Sequence, residues 1–105
     1  MQQSEALCPK FEFAFSILSR KWTGLIIQTL LPGPKRFREI ADMIPNMSDR
    51  MLSERLKELE GEGIVMRTVY PDIPVRIEYA LTEKGKSLES VMREVQKWAQ
   101  QWVDC

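Results

Sequence analysis

The sequence predicts a mainly α-helical fold with one small β-hairpin, and three observations carry that expectation. Apolar residues recur at i, i+3, i+4 and i+7 over several separate stretches, the spacing of one buried helix face. The stretch from Ile64 to Leu81 instead gathers β-branched and aromatic residues on either side of a Pro-rich centre, as paired strands around a turn do. The length of 105 residues leaves room for one small core, so residues 1–105 are expected to form a single domain, completed by a second copy of itself.

The elements follow in order. Cys8-Pro9 opens a first helix in which Phe11, Ala14, Phe15 and Leu18 mark one apolar face. Phe13 and Ile17 add a second apolar edge, which predicts a helix held between two neighbours, one of them in another subunit. A second helix runs from Trp22 to Leu31 with Trp22, Leu25, Ile26 and Leu30 inward, and Pro32-Gly33-Pro34 stops it. Lys35 to Phe37 is expected as a short strand. Phe37, Ile40, Ala41 and Ile44 then give a short helix that Pro45 ends. Ser48 can cap the next helix, which runs to about Gly61 with Asp49 at its positive end. On that helix Leu52, Leu56 and Leu59 share a narrow arc. Gly61-Glu62-Gly63 ends it, and strands over residues 64–70 and 75–81 flank the stiff tip Pro71-Asp72-Ile73-Pro74. Thr82 caps a last helix over residues 83–103.

A short helix, a turn, a second helix and a hairpin, in that order, make a winged helix-turn-helix: the paired helices span 37–61 and the wing 64–81. Such a unit reads double-stranded DNA with the outward face of its second helix. Here that face carries Arg50, Ser53, Glu54 and Lys57, with Ser48 at its start. Arg can pair with the O6/N7 edge of guanine, Ser is adaptable and Lys suits phosphate. Lys35, Arg36 and Arg38 are the expected phosphate contacts ahead of it. Asp49 and Arg55 fall nearer the buried edge and are expected as a cap and an internal ion pair. Arg76, at the base of the wing, has two readings: a contact to phosphate or the minor groove, or a pair with a neighbouring acid.

Charge does not by itself point to nucleic acid, because 15 basic residues balance 15 acidic ones. The balance is uneven along the chain: residues 1–57 hold nine Lys or Arg against six Asp or Glu, and residues 58–105 hold six against nine. Complete absence of His removes the usual general base and metal ligand, and the five glycines have no phosphate-loop spacing. No enzyme activity, cofactor or metal is therefore expected. No apolar run is long enough to span a membrane and no basic start leads into an apolar segment, so a cytoplasmic protein with reduced thiols is expected.

Several motifs together resemble the HxlR-type bacterial transcription regulators. They are Cys8-Pro9, Arg20-Lys21-Trp22-Thr23, Gly33-Pro34-Lys35-Arg36-Phe37, the run Met51 to Leu59, and the run Pro74 to Gly85; the match extends from residue 8 to about 102. The resemblance implies a homodimeric winged-helix regulator with its second motif helix in the major groove and its wing on the flanking backbone. Within that family the chain is most similar to thiol-based sensors of quinones, diamide and electrophiles, which carry a cysteine directly before Pro-Lys. Here that residue is Cys8. Its position before a helix-initiating proline, with Lys10 nearby, independently favours the thiolate, the form that attacks electrophilic carbon. The bland reading is an inert terminal thiol. The resemblance also implies a disulfide between Cys8 and a cysteine near the partner's C-terminus; Cys105 lies two or three residues beyond that place, and an incidental exposed thiol is the equal alternative.

Leu88, Val91, Met92, Val95, Trp98, Ala99 and Trp102 fall within about 120° of one another on the last helix. With Phe13 and Ile17 they form the expected dimer interface, which would set two reading helices about 34 Å apart on a pseudo-palindromic operator. The expected function is a repressor released when Cys8 is oxidised or takes up a quinone or another electrophile. The alternatives are a ligand-gated repressor without redox chemistry, its pocket lined by the aromatic-rich first helix, and a winged-helix protein-interaction module.

Overall fold

A computed structural model describes residues 7–104. It contains α1 (Pro9–Leu18), α2 (Thr23–Leu30), α3 (Phe37–Met43), α4 (Asp49–Gly61), β1 (Val65–Tyr70), β2 (Arg76–Leu81), α5 (Glu83–Lys86) and α6 (Glu89–Trp102). β1 and β2 form an antiparallel hairpin in which Val65 faces Leu81 and Tyr70 faces Arg76. Lys35 adds one bridge to this hairpin: its N–H donates to the Tyr79 carbonyl at 2.9 Å and its carbonyl accepts from Tyr79 N–H at 2.8 Å. The expected strand at 35–37 is thus a single residue, which ties the start of α3 to the wing. The arrangement is a winged helix-turn-helix.

The core is small and continuous. Ile26, Ile27 and Leu30 of α2 meet Ile40 and Ala41 of α3, Leu52, Leu56 and Leu59 of α4, and Ile64, Val65 and Leu81 at the base of the wing. Ser48 caps α4 as the sequence suggests, its hydroxyl accepting from the Met51 N–H at 3.1 Å. Glu39 plays a similar part for α3, its carboxylate accepting from Arg36 N–H at 2.7 Å.

Three expectations need correction. The buried face of α2 is Thr23, Ile26, Ile27 and Leu30; of the expected set Ile26 and Leu30 are buried and Trp22 packs against the core from ahead of the helix, but Leu25 does not. Trp22 stands before the helix in the left-handed region, so the i, i+3, i+4, i+7 arc starts one residue later and leaves Leu25 52% exposed. The last helix is two helices. Thr82 caps only α5, accepting from Gly85 N–H at 3.1 Å; the Leu88 N–H then bonds the Gly85 carbonyl three residues back, a tighter turn that redirects the chain into α6. Finally, Phe11 and Phe15 of α1 stack edge-to-face at 5.0 Å but remain more than half exposed, and only Ile17 and Leu18 reach the core.

Neither α1 nor α6 contains a buried residue. The radius of gyration is 15.8 Å, against about 13 Å for a compact chain of this length. Both helices thus present apolar side chains that their own subunit does not cover.

Candidate nucleic-acid interface and thiol site

α4 lies with Leu52, Leu56 and Leu59 on the core and presents the opposite side to solvent. Arg50 is an open charge on that side, its side chain 87% exposed, with Nε donating to the Glu54 carboxylate at 3.2 Å. An exposed pair of this kind is worth little in water, so Arg50 is free to exchange Glu54 for a base edge. Lys57 is exposed one turn beyond Glu54, and Ser53 lies half-buried at the edge of the face. Ser48 is spent on capping, which leaves its hydroxyl oxygen already engaged.

The flanking cations divide into tethered and open. Arg38 on α3 reaches Asp49 at 2.7 Å, and that hydrogen bond, with the charge of the same carboxylate, raises its pKa above the ordinary value. Arg36 is exposed and Lys35 half-buried at its bridge to the wing. Arg76 is held most firmly. It donates to Asp72 at 3.0 Å and to Glu78 at 2.7 Å, and its guanidinium stacks on Tyr70 at 4.0 Å, directly across the hairpin. Its pKa is raised by those two hydrogen bonds, Asp72 first. The acid-paired reading of Arg76 therefore describes its state in the free protein. Exposed Arg67 on β1, which sequence reasoning passed over as a strand residue, is a further cation of the wing. Arg55 turns inward as expected, its side chain only 13% exposed.

Cys8 stands at the N-cap of α1 with Pro9 in the first turn, where the sequence places it. Its thiol is exposed and makes no capping hydrogen bond. Cys105 lies outside the described residues. Among the described residues, no group of His, Cys, Asp and Glu could hold a metal ion, and no helix is long and apolar enough to cross a membrane.

The long apolar stripe of the last helix divides by task. Leu88 and Met92 are half-buried against their own core. Val91, Val95, Trp98 and Trp102 are left open, the two tryptophans at 62% and 66%. A cleft of about 690 Å³ lies between α2 and α6, lined by Trp22, Leu25, Met92, Val95, Ala99 and Val103 among others. The two pockets that the first helix lines, each through Phe13 and Ile17, are smaller, at about 280 and 370 Å³.

The family model for the HxlR-like helix-turn-helix matches residues 17–105. The chain belongs to the HxlR family. As a member it is a helix-turn-helix transcriptional regulator, and curated relatives bear this out. It is 57% identical over 99% of its length to an uncharacterized HTH-type transcriptional regulator, YvaP, of Bacillus subtilis, covering 95% of that protein. It is 54% identical to the HTH-type transcriptional regulator YodB of the same organism, over 93% of this chain and 88% of YodB. The reduced form of YodB superposes with a TM-score of 0.85 over 94% of this chain and 97% of that one; YodB is also known diamide-treated and quinone-bound. The redox regulator HypR in its oxidized form, 38% identical, superposes at 0.86 over 93% of this chain and all of that one.

Proposed function

We propose that this HxlR-family chain is a cytoplasmic homodimeric repressor that leaves its operator when Cys8 is oxidised or alkylated. The observation that carries this reading is an exposed thiol at the start of a helix whose aromatic face its own subunit leaves uncovered. The similarity to YodB, known in reduced, diamide-treated and quinone-bound forms, supports it. In this reading α1 and α6 bury Phe13, Val91, Val95, Trp98 and Trp102 against their copies, Ile17 being already packed on its own core, and Cys8 lies at the edge of that interface. The Cys8 sulfur adds to a quinone ring carbon and its proton passes to the ring, leaving a hydroquinone thioether, or diamide takes two electrons and two protons from Cys8 and Cys105 of the partner subunit, which join as a disulfide. Either event alters subunit spacing, while Arg50, Ser53, Glu54 and Lys57 carry the output with Lys35, Arg36 and Arg38 on the backbone. Catalytic turnover has no part in it.

Selection of bound fragments from random duplex DNA, with and without diamide, tests the output. The expected result is a two-fold symmetric element whose half-sites lie about one helical turn apart, lost on treatment. Enrichment of no sequence would overturn the DNA-reading assignment and favour an interaction module.

One observation favours a second reading. A cleft of about 690 Å³ falls in the size range of small-molecule sites, roughly 300–1,000 Å³, so an apolar ligand between α2 and α6 could gate the same dimer. Release by a ligand that persists in Cys8→Ser would select this alternative.

A further inference from the structure

The four residues between α1 and α2 hold an unusual backbone and tie it to α4. Trp22 adopts φ 80°, ψ −20°, and it is the only non-glycine among the described residues with positive φ. A bulky side chain rarely occupies that region. What holds it there is specific. The Trp22 side chain packs against the core, its carbonyl accepts from Ile26 N–H at 3.0 Å, and Lys21 Nζ lies 4.9 Å from the centre of its ring. From α4, the largely buried Arg55 donates through Nε to the Lys21 carbonyl at 2.9 Å and pairs with Glu58 at 3.3 Å. Glu58 in turn accepts from Arg20 at 2.6 Å. The α1–α2 corner and the DNA-facing helix thus share one hydrogen-bonded network.

We propose that Arg55 and Glu58 are positioning residues that make the placement of α4 depend on the conformation of this corner. The inference rests on the thiol-switch reading above and supplies the link that reading lacks. α1 is fastened to its own subunit through Ile17 and Leu18, at the end next to the corner, whereas Cys8 stands at the opposite end. That makes α1 a lever of about 15 Å. The bistable element is Trp22. If α1 is displaced, Trp22 can leave the left-handed region, and the Lys21–Trp22 peptide then turns its carbonyl away from Arg55. A nearly buried guanidinium loses an acceptor, and the Arg20–Glu58 pair moves with the corner. Arg50, Ser53, Glu54 and Lys57 sit on the same α4, so a small rotation there spoils contacts whose geometry is narrow.

The test uses the full chain with Arg55→Lys and, as a milder change at a half-exposed site, Glu58→Gln. Operator Kd is measured before and after diamide, and the ratio of the two is the readout, because a simple change of charge or affinity cancels in it. Wild type is expected to weaken by about 100-fold on treatment, and each variant by about tenfold or less. Arg50→Ala serves as the comparison: it should weaken both states and keep the wild-type ratio. Wild-type ratios in both Arg55→Lys and Glu58→Gln would overturn the inference while leaving the thiol switch standing. A wild-type protein that holds its operator under diamide would overturn the thiol-switch reading and this inference together.

Discussion

Gly85→Ala is expected to destabilise the fold by about 3 kcal/mol, which is a large share of the roughly 5–15 kcal/mol that holds a domain of this size together. The reason is local and severe. A Cβ at residue 85 would overlap the Ile64 carbonyl oxygen and press on Leu81 Cβ and Cδ2 at 3.1 Å. That carbonyl cannot move aside freely, because it accepts from the Thr82 N–H at 3.0 Å and from the Thr82 hydroxyl at 3.2 Å. The same threonine caps α5. One methyl group therefore strikes the joint where the end of α4, the base of the wing and the start of α5 meet. Thermal unfolding should show a midpoint lowered by roughly 15 °C, at about 4–8 °C per kcal/mol for small domains. A midpoint within about 2 °C of wild type would mean that the close packing of α5 on the wing is misdescribed.

Trp98→Glu is expected to act differently, by separating subunits and not by unfolding them. The ring is 62% exposed within one chain, with Val95 and Trp102 open beside it, so little of its own subunit depends on it. Covering a large apolar side chain contributes about 1.5–3 kcal/mol, and two-fold symmetry counts each residue twice. A buried carboxylate without a partner removes that gain and adds its own desolvation cost. The variant should sediment as a monomer where wild type sediments as a dimer. Operator affinity should fall by about 100-fold or more, because two linked half-sites gain that much over one. A Trp98→Glu protein that remains dimeric and binds its operator as wild type does would place the interface elsewhere than on α6.

What could be read from the sequence was local. Periodicity and capping are short-range properties, so the leucines of α4, the Ser48 cap and the hairpin appear in the structure within a residue or two of expectation. Leu25 looks inward in the sequence because nothing in Lys21-Trp22-Thr23 announces a left-handed residue that shifts the helix start, whereas Trp22 itself packs against the core. Nor does sequence distinguish an apolar face covered by its own chain from one left open. Phe11 and Phe15 show the same spacing as a buried stripe but lie in solvent within one subunit. Arg76 finds its acids four and two residues away, as one of its two readings expects, but the partner of Arg38 depends on a chain reversal that brings Asp49 within reach, and the Arg55 to Lys21 hydrogen bond spans 34 residues. Such pairings are tertiary facts. The residues expected to read DNA were nameable because a helix face repeats with a known period; those that position that face were not.

The central claim is that one thiol, at the start of α1, controls a DNA-reading face elsewhere in the fold. Titration of a labelled operator duplex with wild type and Cys8→Ser, each before and after benzoquinone, tests it most directly. The account predicts that treated wild type loses about 100-fold in affinity while treated Cys8→Ser binds as the untreated protein does. A Cys8→Ser protein that leaves the operator under benzoquinone as readily as wild type would contradict it.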